Sequence, residues 1–470
     1  MNAVHKLWTR IFACAVGLLL LLFFSNDFGL IDIQETAIVV ALGIDAAENG
    51  EGYDVTAQIA VPASTGSGSA GNVAVKNAKT VGEAITMLNH ETGWYPTLVH
   101  CKLVLLGEKV TEKDVFETLD YFLRNDGVED SCLVAVCEGT ARQMFQTQSP
   151  VNDISASAIT KVLSSEAQKS GIVAVNILKD FAKQYYSVSE SGFLPYISVK
   201  SEADSQGGEN AQPVFAGQNL CYRENAQPVF ARQNLCRGEN VQPVASEDLS
   251  RQKTSADSPF LKKNKRWRPK REPLPISAAA TEGGAGGSGG QQKNGDGNAD
   301  IFQADKTMLF YKGKRAALLD AEETLAYNLA DTDTGFAFGN VTVDEDGTPV
   351  TYTLKMKISK KKQKLFFENG MPVFTFDIRA NARISDADKA DSILGIAKTL
   401  LVDEKILHAA EEKFREELLS VFTRSAAAGC DVFALRQKLY RHHFGKYEKF
   451  KDTLLDSVQV RGRITFTSLK

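Results

Sequence analysis

The sequence predicts an α+β protein of two or three mixed α/β domains, with mainly antiparallel or mixed sheets. One N-terminal membrane segment precedes these domains, and a long disordered insert joins them. Three observations lead to this prediction: a leucine-rich segment near the first residue, strand and helix patterns on both sides of the chain's middle, and a repetitive, glycine-rich middle. The 470 residues suffice for two or three domains, each with its own core.

Residues 1–31 form the predicted membrane anchor or signal segment. Basic residues precede the apolar run 11–24, and Asp27 follows it, which places the N-terminus in the cytoplasm and the remaining chain outside. The run is short for a full span and closer in length to the core of a signal peptide. No small-x-small cleavage site follows it, however. We therefore predict an uncleaved anchor, with a removed signal peptide as the alternative.

Composition narrows the function classes. The net charge of −4 and the pI near 6.0 argue against a general nucleic-acid-binding protein, which is usually basic. The cysteines form no metal-binding pattern: Cys132 and Cys137 lie five positions apart in a predicted strand, so their side chains point to opposite faces. Cys101 is predicted to be a small core residue. The sequence predicts no metal site and no specific disulfide.

Residues 32–200 are predicted to form an N-terminal mixed α/β domain organised around the segment Glu35 to Asp45. This segment is almost continuously apolar and β-branched, which suits a central strand buried on both faces. The alternating segment 53–61 follows a Gly/Asn turn, so the two are predicted to form a β-hairpin. The Gly/Ser-rich stretch 63–72 is predicted to be a flexible loop.

The next segments alternate between helix and strand patterns. Residues 80–92 are predicted to be a helix opened by the capping box of Thr80 and Glu83. One long strand is predicted over 96–108, with His100 and Lys102 on the face that also carries Leu98 and Val104. A His beside a Lys resembles a catalytic pair, but no nucleophile or carboxylate is tied to them in sequence, so both are interpreted as structural. The remaining predicted elements of this domain are an amphipathic helix over 111–125, a strand over 131–137, a short helix from Gly139 to near Pro150, helices over 154–169 and 176–186, and a strand over 193–199.

Residues 201–300 are predicted to be a low-complexity linker that contains repeats. A fifteen-residue unit begins at Glu209, recurs at Glu224 and decays after Glu239; this period is too short for common solenoid units. The segment 262–271 carries seven positive charges around Trp267. We interpret it as solvated linker, with binding to anionic lipid headgroups as the alternative.

Residues 301–470 are predicted to form a C-terminal α+β domain. The pattern indicates strands over 307–312, 349–359, 373–385 and 457–467, with helices over 321–330, 405–424 and 431–444. Lys357 to Lys364 is predicted to be a solvated turn at a strand end. His442 and His443 are adjacent on a predicted helix, where their side chains diverge by about 100°, a poor geometry for one metal ion.

Four segments, taken in this order, resemble the N-terminal domain of the Ger(x)C family: Ala41 to Asp45, Tyr53 to Gln58, His100 to Glu108, and Leu119 to Asn125. The long helix and closing strand resemble the family's C-terminal domain. The resemblance implies the C subunit of a nutrient germinant receptor of spore-forming bacteria. The chain departs from the family in three ways. Cys14 precedes the leucine run, whereas the family's lipid-attachment cysteine follows it. Glu129 and Asp130 stand where the family tends to be basic, and the insert over 201–300 is the third departure.

The predicted function is that of a non-enzymatic, membrane-tethered receptor subunit needed for nutrient-triggered germination. The resemblance implies protein–protein contacts with multi-span A-type and B-type receptor subunits. It also implies a location at the inner spore membrane, with most of the chain on the extracytoplasmic side. Neither catalytic, cofactor-binding nor metal-ligating residues are assigned, no cofactor or nucleic acid is expected, and no germinant-contacting residue is named. The alternatives are an extracytoplasmic cell-wall hydrolase and a transporter-associated binding protein.

Overall fold

A computed structural model describes most of the chain outside the insert: residues 2–25, 36–61, 69–125, 127–147, 149, 152, 154–200, 301–332, 334–388 and 401–468. The strands are β1 (Thr36–Ala46), β2 (Tyr53–Val61), β3 (Ser69–Ala78), β4 (Tyr95–Thr97), β5 (Leu103–Gly107), β6 (Leu133–Cys137), β7 (Ser191–Lys200), β8 (Ile301–Tyr311), β9 (Lys314–Leu319), β10 (Phe336–Glu345), β11 (Thr348–Glu368), β12 (Met371–Ala387) and β13 (Gln459–Ser468). The helices are α1 (Asn2–Ser25), α2 (Val81–Thr92), α3 (Phe116–Arg124), α4 (Ala141–Gln146), α5 (Ser155–Val162), α6 (Ser165–Lys169), α7 (Leu178–Tyr185), α8 (Ala321–Ala330), α9 (Glu404–Ala427), α10 (Leu435–His442), α11 (Phe444–Phe450) and α12 (Leu454–Ser457). The predicted insert lies outside these residues.

The first sheet is mixed, with strand order β3-β2-β1-β5-β6-β7-β8-β9, and β4 pairs with β1 beside β5. β1 lies inside it, antiparallel to β2 and parallel to β5. The second half of β1 is buried on both faces because helices and core side chains cover the sheet on each side. The predicted central strand and its hairpin with β2 are therefore both present.

The predicted loop over 63–72 is wrong at its C-terminal end, where β3 already begins at Ser69. β3 pairs with β2 in an antiparallel register that places Val73 opposite Ala57 and Val75 opposite Val55. Glycine, serine and alanine have weak strand propensity, but pairing along β2 supplies the burial that decides the conformation. β2 is consequently buried on both faces from Val55 to Ile59.

The predicted single strand over 96–108 is also wrong, because a turn divides it into β4 and β5. The backbone N–H of Cys101 donates to the carbonyl of Leu98 at 2.9 Å and closes this turn. His100 and Lys102 are exposed on it, whereas Leu98 and Val104 are buried. The four residues therefore do not share a face.

The strands that flank the insert in sequence, β7 and β8, are neighbours in the first sheet. β8 pairs antiparallel with β7, and the register places Ile301 directly opposite Lys200. β9, which was not predicted, follows β8 through a tight hairpin at Lys312 and Gly313. The edge of the sheet is thus built from residues that follow the insert.

The second sheet has strand order β10-β11-β12-β13, and α8, α9 and α10 contribute to the core on its inner face. The predicted turn over Lys357 to Lys364 is wrong, because β11 continues through it to Glu368. A bulge between Ile358 and Lys360 keeps Lys357 and Lys360 on the same face. β10 was not predicted.

Three hydrophobic clusters hold these layers together. Two cover opposite faces of the first sheet, and Cys132 lies in one of them while Cys137 lies in the other, as predicted from their spacing. The third fills the space between the second sheet and its helices. The architecture is mixed α+β with two sheets, in agreement with the predicted fold class. Within the part of the chain described, no helix is both long enough and apolar enough to cross a membrane.

Candidate functional site

Asp45 is a buried carboxylate at the end of the central strand, with 6% of its surface exposed. Its Oδ1 accepts the backbone N–H of Ala141 at 2.7 Å, and its Oδ2 accepts that of Arg142 at 3.0 Å. These N–H groups open α4, where no earlier carbonyl in the helix can accept them. Asp45 therefore connects α4 to β1. Within the segment Ala41 to Asp45, this carboxylate has a structural role.

The Asp45 site also involves the neighbouring strand. A Cβ atom added to Gly107, at the end of β5, would lie 2.1 Å from Asp45 Oδ1. The backbone at Gly107 has φ −65°, a conformation open to any residue. Glycine is thus required there for space around the carboxylate.

We expect the stability conferred by Asp45 to depend on pH. Burial raises the pKa of the Asp45 carboxyl above the ordinary value of 3.8, and the two backbone hydrogen bonds oppose that rise. A raised native pKa means that the native state binds the proton more readily, so wild type gains stability over Asp45→Asn as pH falls from 7 to 4. Urea denaturation of both proteins at several pH values measures this; an unchanged difference would contradict the direction of the shift.

Asp431 forms a second buried junction, between the segment before β7 and the C-terminal helices; it is 2% exposed. Its Oδ2 accepts the hydroxyl of Ser189 at 2.7 Å, and its own N–H donates to Ser191 Oγ at 2.8 Å. The backbone N–H groups of Leu435 and Arg436 donate to its two carboxylate oxygens, each at 2.7 Å. Asp431 therefore caps α10 and ties it to the loop that leads into β7.

The titratable residues considered from sequence do not converge. His100 and Lys102 lie on the exposed turn between β4 and β5. His443 lies just after α10, where its Nε2 is 3.0 Å from the carbonyl oxygen of Leu365. Across the residues that the structure describes, no group of three or more His, Cys, Asp or Glu side chains could hold a metal ion.

The candidate binding site is a cavity of about 360 Å³ between α2, the β4 segment and α3. Ile85, Thr86 and Asn89 line it from α2, Tyr121 lines it from α3, and Asn125 lines it from the position directly after α3. No Asp, Glu, Lys, Arg, His or Cys contributes to this lining. The cavity can therefore accept a neutral polar group or an apolar side chain.

The polar groups of this cavity are held in place by local contacts. Asn125 Nδ2 donates to the phenol oxygen of Tyr121 at 3.1 Å, and Asn125 Oδ1 accepts the N–H of Gly127 at 2.8 Å. Burial raises the pKa of the Tyr121 phenol above its ordinary value of 10.0, so its hydroxyl remains a neutral hydrogen-bonding group well above neutral pH. The glycine at position 82 admits the Tyr121 ring, because a Cβ there would lie 3.2 Å from Cε2.

One rim of the cavity is apolar and open to solvent. Trp94 is 43% exposed, Tyr95 48% and Val99 52%. Tyr95 and Val99 line the cavity, and Trp94 directly precedes β4. We call Trp94, Tyr95 and Val99 the aromatic rim. The sequence analysis did not predict the aromatic rim, because the rim and cavity residues are brought together only by the packing of α2 and α3 on β4. The one sequence feature that indicates it is the pair of consecutive aromatic residues after the glycine that ends α2.

Two family models match the chain. The model described as "Spore germination protein N-terminal domain" matches residues 30–199, and the one described as "Spore germination B3/GerAC like, C-terminal" matches residues 305–465. Together the matches cover well over half of the chain. The chain belongs to the Ger(x)C family. The family resemblance seen in the sequence is thereby confirmed, as is a place among the C subunits of spore germinant receptors.

Other comparisons give a distant structural relative. A solved structure described as "Crystal Structure of the GerBC protein" aligns over 91% of this Ger(x)C chain and 97% of its own, with 14% identity and a TM-score of 0.44. No curated protein sequence matches the chain. The two family matches leave residues 200–304 uncovered, a gap that includes the predicted insert.

Proposed function

We propose that this chain is a non-enzymatic, membrane-tethered subunit of a spore germinant receptor that acts by binding the multi-span A-type and B-type subunits. Membership of the Ger(x)C family across both of its domains is the observation that carries the proposal. The neutral cavity and the aromatic rim support contact with a partner. The subunit would bias a conformational equilibrium of the receptor by binding one of its states more tightly.

α1 is proposed as the tether, at the inner spore membrane, with both family domains on the extracytoplasmic side. Its large apolar side chains are exposed along the helix: Leu7, Trp8, Ile11, Phe12, Val16, Leu18, Leu19 and Leu20. Exposed apolar area of this kind favours transfer into lipid. Basic residues at its N-terminal end, such as Arg10, favour a cytoplasmic start.

The aromatic rim is the proposed docking surface for a multi-span subunit. Trp and Tyr bury a large area on binding at low entropic cost, and they are enriched in the residues that dominate interface energies. The cavity beside the rim can receive an apolar side chain from the partner. Tethering to the same membrane raises the effective concentration of the two surfaces, so a modest intrinsic affinity is enough.

Deletion of the gene in the spore former that carries it should abolish the response to the cognate nutrient and leave vegetative growth normal. In complemented strains, Trp94→Ala/Val99→Ala should slow nutrient-triggered germination at least about tenfold, because the rim loses two apolar contacts. The matched control is Met371→Ala/Leu401→Ala, which removes similarly exposed apolar side chains elsewhere and should germinate normally.

Membrane fractions should contain equal amounts of both variants, and the multi-span subunits should co-purify with the control but not with the rim variant. Normal germination in the deletion strain would contradict the receptor role. Hydrolysis of isolated cell wall by the purified full chain would favour the hydrolase instead. Full activity and normal co-purification of the rim variant would exclude the rim as the docking surface.

A further inference from the structure

The outer face of the second sheet is strongly basic. Side chains on this face come from paired positions of β11, β12 and β13, where Lys355 lies opposite Arg383, Lys360 opposite Arg379, and Thr375 opposite Arg461. We call this surface the basic face; its cations are Lys355, Lys357, Lys360, Lys362, Lys364, Arg379, Arg383, Arg461 and Arg463. The acidic residues on the same face are Asp377, opposite Lys362 and Arg463, and, towards the strand ends, Glu368, Asp386 and Asp344.

Within the described parts of the chain, few of these charges are neutralised. Arg379 lies 3.6 Å from Asp377, and Arg461 lies 2.6 Å from Glu368 at the end of β11. Among described residues, the other cations of the basic face take part in no ion pair. Like charges on neighbouring strands destabilise a sheet. An anionic partner that covers this surface therefore relieves the repulsion and stabilises the sheet.

An apolar edge accompanies the charges. Phe336 and Phe338 of β10 flank Lys355, whose Nζ lies 4.8 Å and 5.2 Å from the two ring centroids. Phe336 also lines a shallow recess of about 410 Å³ with Lys357 and Arg383. The basic face therefore joins an array of ammonium and guanidinium groups to exposed aromatic carbon, the combination found at membrane interfaces.

We propose that the basic face binds the anionic headgroup surface of a lipid bilayer. Charge complementarity carries the proposal: nine cations and four carboxylates share a sheet face, which leaves it strongly positive, and each cation near an anionic surface raises affinity about fivefold. The proposal rests on the proposed function only for the presence of a bilayer beside the chain. It adds a second membrane contact, which would hold the C-terminal domain against the lipid surface.

Other polyanions fit this face less well. A protein interface usually has an apolar, charge-depleted centre, whereas here the charges occupy the centre and the aromatic side chains one edge. Nucleic acid is not expected on the extracytoplasmic side proposed for this domain, whereas a bilayer lies beside it. A lipid surface presents many headgroups at once and matches cations that are spread over three strands of a sheet face.

The test is lysine footprinting of the full chain mixed with vesicles of phosphatidylcholine, or of phosphatidylcholine containing phosphatidylglycerol. Acetylation of Lys360, Lys362 and Lys364 should be about tenfold slower on the anionic vesicles, and 0.5 M NaCl should remove the protection. Lys76 and Lys79, exposed on the first sheet's side of the chain, should react equally on both vesicles.

Variants sharpen the test. In Lys360→Gln/Lys362→Gln/Lys364→Gln, protection of Lys357 should fall from about tenfold to below about threefold. The matched control, Lys76→Gln/Lys79→Gln/Lys109→Gln, removes as many exposed charges and should keep the protection. Equal acetylation of the basic face on the two kinds of vesicle would overturn the proposal, and so would stronger protection by an acidic peptide or by duplex DNA than by anionic vesicles.

The footprinting result can be distinguished from a failure of the proposed α1 tether. A chain that floats with both kinds of vesicle but shows no protection of the basic face overturns this inference and leaves the tether standing. If the chain does not bind phosphatidylcholine vesicles, yet anionic vesicles protect the lysines of the basic face, the result supports the basic face and contradicts the tether.

Discussion

Replacing Gly107 by alanine is expected to lower the free energy of unfolding by about 3 kcal/mol, measured by urea denaturation. The new Cβ would lie 2.1 Å from Asp45 Oδ1 and 3.4 Å from the carbonyl oxygen of Gly139. Asp45 cannot rotate away without breaking its bond to Ala141, so the clash removes a hydrogen bond as well as packing.

A double-mutant cycle separates this explanation from a general loss of packing. Asp45→Ala alone should cost about 3 kcal/mol, because two N–H groups of α4 lose their acceptor. If the clash is with the carboxylate, Gly107→Ala should cost far less in the Asp45→Ala background, and the two effects should not add. Additive costs would contradict the mechanism. Gly445→Ala is the matched control, since nothing lies within 4 Å of its added Cβ; it should be neutral or stabilising.

Replacing Asp431 by alanine is expected to cost about 3 kcal/mol as well. The change removes the acceptor for two backbone N–H groups of α10 and for the hydroxyl of Ser189, all of them in a largely buried region. Because Ser189 lies before β7, hydrogen–deuterium exchange should rise both in α10 and in the segment that leads into β7.

The control for Asp431 is another aspartate that caps a helix. Asp403 Oδ1 accepts the N–H of Lys405 at 3.0 Å at the start of α9, but Asp403 is exposed. Asp403→Ala should therefore cost only about 1 kcal/mol. Equal costs for the two substitutions would show that burial of Asp431 and its contact with Ser189 contribute nothing.

Elements governed by local residues were predictable from the sequence. The β1–β2 hairpin follows from a buried apolar strand, a Gly/Asn turn and an alternating strand. The start of α8 is set by Asp320 and Glu323, whose side chains each accept a backbone N–H of the other residue, a capping box that can be read from four letters. The apolar pattern of the hairpin and the cap of α8 each depend on residues within one short segment, so both can be recognised without knowledge of the tertiary packing.

Elements that depend on distant pairing were not predictable. β3 gains its burial from β2, and β10 gains its own from β11. Lys361 interrupts the alternation of β11: it lies on the inner side, where its Nζ donates to the carbonyls of Asn328 and Thr332 at the end of α8. A lysine in an inner position made the segment resemble a solvated turn, and this concealed the basic face.

The cavity and the aromatic rim were unpredictable for a related reason. Ile85, Tyr95 and Tyr121 belong to three elements, and their separation in sequence gives no sign that they line one space. A neutral site also lacks the charged or nucleophilic residues by which sequence patterns usually reveal function. The family resemblance, in contrast, depended on the order of short segments, and needed no knowledge of their packing.

The pairing of Lys200 with Ile301 has a practical consequence. These two paired residues are separated by a hundred residues in sequence. A short hairpin loop could therefore replace residues 201–300 without separating β7 from β8. The entropy of closing a loop grows only with the logarithm of its length, so the same point should also accept a cargo of choice, such as a fluorescent reporter. The protein thus offers a natural splice point for following receptor assembly in living spores.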